Sequence, residues 1–370
     1  MQGGILFDKH LYPWYYKQNL FYRKRVGAMK QNLTIADIAK IANVSKTTVS
    51  FVLNNKPGVS QKTRQKVLSI IDKTNYRPTL NSRRLYYNKT FTIAVVFDKS
   101  VPAFDNLFSY SIMNALLKRC MHYDYALVYS EYSMDGETPV LPSNIINKDM
   151  DGLVFLRDIP LALISKLHEL NMPFVVADDH SEHASLHTVK ADYALAAYTA
   201  VDYLISQKHG KIGFMGNMNL PAFYIQVLSG YQKALKKAGL TLDLSYFFDK
   251  VQNLADIEKC VEKMIRSGEL PTAIFCMEDI LAISLIRCLQ KHGLRVPEDV
   301  SVISIDDIIL ASRVYPALTT VALDKDALGS YAVDLLMDLI NGKDPQSITI
   351  SSNNLIVRES VMAADCKNKT

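Results

Sequence analysis

Hydrophobic positions along this chain fall into two regimes. Between residues 33 and 78 they recur in short bursts at helical spacing. Ile35, Ile38, Ala39 and Ala42 form one apolar stripe, Val49, Val52 and Leu53 a second, and Val67, Leu68, Ile70 and Ile71 a third. Polar punctuation separates them. Thr34 precedes the first stripe with Asp37 three residues on, the spacing of a capping box. Ser45 follows the break at Asn43-Val44 and can cap a second helix; Ser60 follows the turn Asn55-Lys56-Pro57-Gly58 and can cap a third. Two short helices joined by a tight turn and buttressed by a third make a helix-turn-helix. From Phe91 the texture changes. Apolar runs at 92–97, 126–130, 152–156, 174–177, 212–215, 273–276 and 301–305 predict buried parallel strands. Helical patterns at 110–122, 194–207, 228–238, 257–267 and 281–292 lie between them. Such alternation implies doubly wound α/β architecture, with ligand sites beyond the strand ends.

Charge sharpens this division. The net charge of +5 over 370 residues hides 17 Lys/Arg against 3 Asp/Glu in residues 1–90, which leaves −9 for the rest. A basic head on an acidic body is suited to a polyanion. A plain three-helix bundle explains the helices, but not the 12 Lys/Arg opposed only by Asp37 and Asp72 across residues 29–90. In the second helix Lys46, Thr47, Ser50 and Phe51 are left on the side away from Val49, Val52 and Leu53.

The remaining composition excludes several classes. With 49% hydrophobic and 21% charged residues the chain is expected to fold, and its length suggests two or three domains. Cys120, Cys260, Cys276, Cys288 and Cys366 show no C-x-x-C spacing, so neither a zinc site nor a redox motif is indicated. A reduced, cytoplasmic setting is expected, with no membrane association, because no apolar run approaches the length of a span. Residues 1–28 do not make a signal peptide, since Asp8, Lys9, His10, Lys17 and Asn19 interrupt any apolar core. They read as an extension ahead of Met29, the expected natural start. No phosphate-cradling glycine loop, nucleophile elbow or metal spacing accompanies His209 or Asp306. His209 lies in a turn before a strand, a structural position. No enzyme and no cofactor are expected.

The segment TIADIAKIANVSKTTVSFVLN from Thr34 to Asn54, followed by V-S-x-x-T-R from Val59 to Arg64, resembles the headpiece of the lactose-repressor (LacI/GalR) family. The likeness extends over roughly residues 33–362, through HGKIGFMG (209–216), GLRVPEDVSVISIDD (293–307) and VRES (357–360). It implies a DNA-binding transcriptional regulator, usually a repressor, acting as a homodimer on double-stranded operator DNA of pseudo-palindromic sequence. Lys46, Thr47 and Phe51 take base-reading positions; Thr48, Ser50, Asn54 and Ser60 take phosphate-contacting ones. Phe51 stands where arginine is common and cannot grip guanine with a fork, so a shifted base preference is expected. Arg83 and Leu85 match a hinge helix whose leucine wedges into the minor groove.

The implied architecture is an all-α helix-turn-helix headpiece (29–78), a hinge (79–90) and a two-lobed α/β core of parallel sheets (91–362), like a periplasmic binding protein. The lobes are expected at 91–190 plus 322–345 and at 191–321 plus 346–362, with an N-terminal extension (1–28) and a tail (363–370). A small-molecule effector, a carbohydrate or related metabolite, is expected between the lobes near Phe108, Asp178, Asp279 and Asp306. Val227 replaces an arginine that often precedes the G-[FY]-x-x-A-L motif by three residues. Together with Pro221, Phe223 and Tyr224 it suggests a ligand less polar than a free sugar, or none. The alternative is a cytoplasmic solute sensor that does not act on DNA. No apolar heptad tail follows, so a coiled-coil tetramer is not expected.

Overall fold

The computed structural model describes residues 33–53, 56–74, 76, 84, 87, 89–100, 106–181, 186–351 and 353–364. Asn54, Arg83, Leu85, residues 1–28 and Cys366 lie outside these, as do most of the hinge 79–90 and of the tail 363–370. The chain divides into two compact units, Met1–Lys89 and Thr90–Thr370. Among the described residues no helix is long and apolar enough to cross a membrane.

In the first unit the local signals act as their chemistry demands. Helix α1 (Ile35–Ala42) opens on a complete capping box: Thr34 Oγ1 accepts from the Asp37 amide, and Asp37 accepts from the Thr34 amide at 2.8 Å. It closes on Asn43 in the left-handed region (φ 52°), where asparagine is tolerated. Helix α2 (Lys46–Leu53) starts behind Ser45, whose Oγ accepts from the Thr48 amide at 3.0 Å. Helix α3 (Gln61–Thr74) starts behind Ser60 in the same way, through the Thr63 amide at 3.3 Å. Ile38, Ala39, Ala42, Val49, Val52, Val67 and Tyr76 form the core. Leu68, from the third apolar stripe, faces solvent instead. Arg64 donates to the carbonyls of Val52 and Lys56, tying the end of α2 to α3.

The second unit carries two sheets. In chain order its elements are β1 (Thr92–Asp98), α4 (Leu107–His122), β2 (Ala126–Asp135), β3 (Thr138–Val140), α5 (Ser143–Ile146), β4 (Gly152–Leu156), α6 (Leu161–Glu169), β5 (Phe174–Ala177), β6 (Thr188–Ala191), α7 (Tyr193–Ser206), β7 (Ile212–Met215), α8 (Pro221–Lys237), β8 (Phe247–Phe248), α9 (Leu254–Ser267), β9 (Ala273–Cys276), α10 (Asp279–Lys291), β10 (Ser301–Asp306), β11 (Thr319–Leu323), α11 (Lys325–Ile340), β12 (Ile348–Ile350) and β13 (Asn353–Ile356). The first sheet has the order β12-β6-β5-β4-β1-β2-β3 and the second β13-β11-β10-β9-β7-β8. Pairing is parallel except for β2 with β3 and β11 with β13. Central strands are buried on both faces, as parallel sheets between helices require: β1 sets Val95 opposite Tyr129 and Val154 and is covered along nearly its whole length.

The chain passes between the lobes three times: after β6, after β11 and after β12. Helix α11 returns to the first sheet and packs on α4, while α7 and α8 pack together, α7 against the second sheet. The last crossing corrects the expected boundary at 346. β12 pairs in parallel with β6, Thr349 opposite Lys190, so residues 348–350 belong to the first sheet. Two glycines allow the closest helix crossings. A Cβ on Gly230 of α8 would lie 2.1 Å from the Ala194 carbonyl of α7. One on Gly329 of α11 would lie 2.6 Å from the Ile112 carbonyl of α4.

Candidate DNA-reading surface and ligand cleft

The start of α2 is the exposed part of the headpiece. Lys46 and Thr47 point to solvent, ahead of the buried Val49. Thr48 is half-buried, its hydroxyl 2.9 Å from Ser45 Oγ. Ser60 is exposed at the start of α3. Phe51 is half-buried and its ring lies over the Gly58 turn, where φ is +99°. Ser50 differs from expectation: only 9% of it is exposed. Each residue steps about 100° round a helix, so Ser50 stands at the edge of the face that Val49 and Val52 bury, and its small side chain is covered with them.

In the second unit a cavity of about 410 Å³ lies between the lobes, lined by strand ends of both sheets. Arg157 and Asp158 follow β4, Asp178 follows β5, Glu278 follows β9 and Asp306 ends β10, so the polar groups gather at the carboxyl ends of parallel strands. Arg157, Asp178 and Asp306 sit at φ +69°, +61° and +122°. Non-glycine residues avoid that region at a cost of about 1–3 kcal/mol each, and strain of this kind concentrates at ligand sites.

One network crosses the cleft. His180 is 7% exposed, with Nδ1 3.4 Å from Asp158 and Nε2 3.7 Å from Asp178. Asp158 also accepts from the His180 amide at 2.6 Å. The Tyr193 hydroxyl donates to Asp178. Burial disfavours the charged imidazole, but Asp178 and the Asp158 hydrogen bond more than offset this and raise its pKa. Burial likewise raises Asp158, which the His180 hydrogen bond overcomes to bring it down to about 2. In Asp178 burial prevails over His180, and its pKa is raised. From α8 in the second lobe Phe223 packs on His180 of the first lobe and on Tyr193 of its own, with ring centroids 5.1 and 4.7 Å away, and Gln226 donates to the His180 carbonyl at 3.0 Å.

Of the expected effector residues, Phe108, Asp178 and Asp306 line the cavity. Val227 and Asp279 do not. Val227 is fully buried in the core on the inner face of α8. Asp279 is fully buried as well: it accepts from Ser304 and Thr320 hydroxyls, both at 2.6 Å, and from the Ile308 amide at 2.8 Å. That carboxylate fastens α10 to β10 and β11, a structural task. His209 also lies off the cavity, its Nε2 2.9 Å from the Met362 carbonyl. Sequence reasoning missed Arg157, His180 and Glu278. Their signal was a polar or titratable residue within three places of the end of a buried parallel strand: Arg157 one after β4, Glu278 two after β9 and His180 three after β5. Outside the cleft, Glu258, Glu262 and His292 bring ligating atoms within 4.8 Å of one another, with Glu258 already engaged by Lys291.

Known proteins share this organisation. Residues 34–79 match the family described as bacterial regulatory proteins, lacI family, and residues 201–361 match the periplasmic binding protein-like domain. Catabolite control protein A of Priestia megaterium is 32% identical over 314 residues, 84% of this chain and 93% of that protein. The HTH-type transcriptional repressor PurR of Photobacterium profundum is 32% identical over 333 residues, 89% of this chain and 98% of that repressor. The lac repressor dimer solved bound to operator and the anti-inducer ONPF has the same fold, with a TM-score of 0.69 at 24% identity, over 90% of this chain and all of the other. The chain therefore belongs to the lacI family of bacterial regulatory proteins, DNA-binding transcriptional regulators with an effector-binding, periplasmic-binding-protein-like core.

Proposed function

We propose that the chain is a cytoplasmic repressor that grips a pseudo-palindromic operator as a homodimer and is switched by a small molecule held between the lobes. The observation that carries this reading is the exposed first turn of α2, Lys46 and Thr47, on a capped helix-turn-helix in the basic head of the chain. Such a helix enters the major groove with its first turn at the base edges, while Thr48 and Ser60 at helix starts suit phosphate contacts. Two-fold operators call for two headpieces. Relatives named as repressors support the same direction of control. The switch works by linkage: an effector that prefers one lobe arrangement shifts the population toward it. No catalysed reaction is part of this reading.

Selection from random duplex DNA with the full-length protein, at two salt concentrations, tests it. An inverted repeat should emerge, with affinity falling about a thousandfold or more between about 50 and 200 mM salt if six or more phosphates are neutralised. Folded, dimeric protein that selects no motif, with or without candidate effectors, would instead favour a solute sensor that ignores DNA.

A further inference from the structure

The charged groups of the cleft divide into those already engaged and those that are not. Asp98 accepts from the Ser100 amide and hydroxyl, Asp158 from His180 and Ser181, and Asp178 from Tyr193. Arg157, Glu278 and Asp306 differ. Among the described residues none of these three side chains takes part in a hydrogen bond or ion pair, although all three line the cavity. The Nε of Arg157 is buried without a partner, and Asp306 is only 8% exposed. Lys325, near Asp306, is committed to the backbone carbonyls of Asp306 and Asp307.

These three groups sit on opposite walls. Arg157 follows β4 of the first sheet, whereas Glu278 and Asp306 follow β9 and end β10 of the second. Burial raises the carboxyl pKa of Glu278, with Arg157 opposing it, and raises that of Asp306 further still, with Asp279 and Glu278 adding to the effect. A partly buried charge without a counter-charge is costly. Arg157 acts on Glu278 and Lys325 on Asp306 only through space, so a neutral polyol would supply hydrogen bonds but no charge in direct contact with either wall. A simple amine would leave Arg157 unmatched, and a simple acid would leave the two carboxyls.

We propose that the effector is a small zwitterion whose carboxylate lies on Arg157, whose ammonium lies between Glu278 and Asp306, and whose apolar body rests against Phe108 and Phe223. The proposal rests on reading the cleft as the effector site. A guanidinium forks onto a carboxylate bidentately, and acids with aromatic neighbours suit an ammonium. The volume of about 410 Å³ accommodates a molecule of amino-acid size with its side chain. Because the ligand spans both walls, it binds the closed arrangement better than the open one, as a switch requires.

The test uses the full-length protein in calorimetric titration and thermal-shift assays against four matched sets: the common L-amino acids, their decarboxylated amines, their des-amino acids, and neutral sugars. At least one amino acid should bind, and both of its single-charge analogues should bind at least tenfold more weakly. R157Q should abolish the advantage of the amino acid over its amine, while R157K, which keeps the charge without the fork, should retain part of it. E278Q should abolish the advantage over the des-amino acid. Neutral sugars or single-charge analogues binding as tightly as any zwitterion would overturn the proposal and leave the effector reading standing. If no set binds while operator binding persists, the zwitterion proposal falls, and the effector reading passes to other classes of small molecule.

Discussion

At the scale of single residues, two positions carry separable consequences. In the ligand-free folded chain Asp306 is held protonated to higher pH than in the unfolded one, because burial and the nearby Asp279 and Glu278 disfavour its charge; an ammonium seated beside it would draw that value back down. The folded state thus binds the proton more tightly. Its contribution to stability is full below pH ~4, the unfolded carboxyl value, and drains away as pH rises toward the folded value. D306N removes that drain, so its melting temperature should gain on the parent as pH rises from 4 to 8; a pH-independent difference would contradict this. Phe51 acts on specificity. Its ring lies over the Gly58 turn, and F51R would exchange that packing for a fork able to grip guanine. Selection with F51R should bring guanine into one symmetric pair of motif positions, worth about 1–3 kcal/mol of discrimination each. An unchanged motif would remove Phe51 from the base-reading surface.

Elements were legible in the sequence to the degree that their signals were local. Thr34 with Asp37, Ser45 and Ser60 marked three helix starts, and each side chain caps as its chemistry requires. Strands β4, β5, β7 and β9 matched their apolar runs end to end. What failed had either a partner distant in the chain or a helix-breaking residue type inside the element. β12 is three residues long, too short for its pattern to name β6 as its neighbour. α8 begins at Pro221, seven residues ahead of the expected helix, because proline at a helix start reads like a break. α11 is absent from the predicted helices, and Gly329 within it weakens the periodic signal there. The site was less legible than the fold. Arg157 and Glu278 become cleft residues only once two sheets face each other, and Val227 resembled a site residue only by its place in a motif. The glycines at the helix crossings give a direct check. G230A and G329A should each cost about 3 kcal/mol, since each added Cβ would strike backbone that cannot retreat cheaply. Denaturant melts showing parental stability for both would mean the helices slide apart freely.

For the whole molecule, the network across the cleft and the charges on its two walls make lobe closure the quantity an effector must act on. Linkage is reciprocal: whatever factor the effector applies to operator affinity, operator must apply to effector affinity. Titrating the effector into protein with and without saturating operator, and operator into protein with and without effector, should return one coupling factor, typically about five- to 150-fold. Unequal factors would point to a further state, such as a change of assembly, in the cycle.

The three chain crossings between the lobes bear on how such a protein can be recombined. Neither lobe is one continuous stretch of sequence, because β12 returns to the first sheet after the second is largely built and β13 then goes back to the second. A single exchange between two genes cannot graft one lobe cleanly onto another core. Residues 34–79 of the head, by contrast, are contiguous and end before Lys89, the last residue of the first unit. Inheritance can therefore pair a new DNA address with an old chemical sense in one event. A change confined to one lobe, by contrast, has to accumulate residue by residue within the cleft.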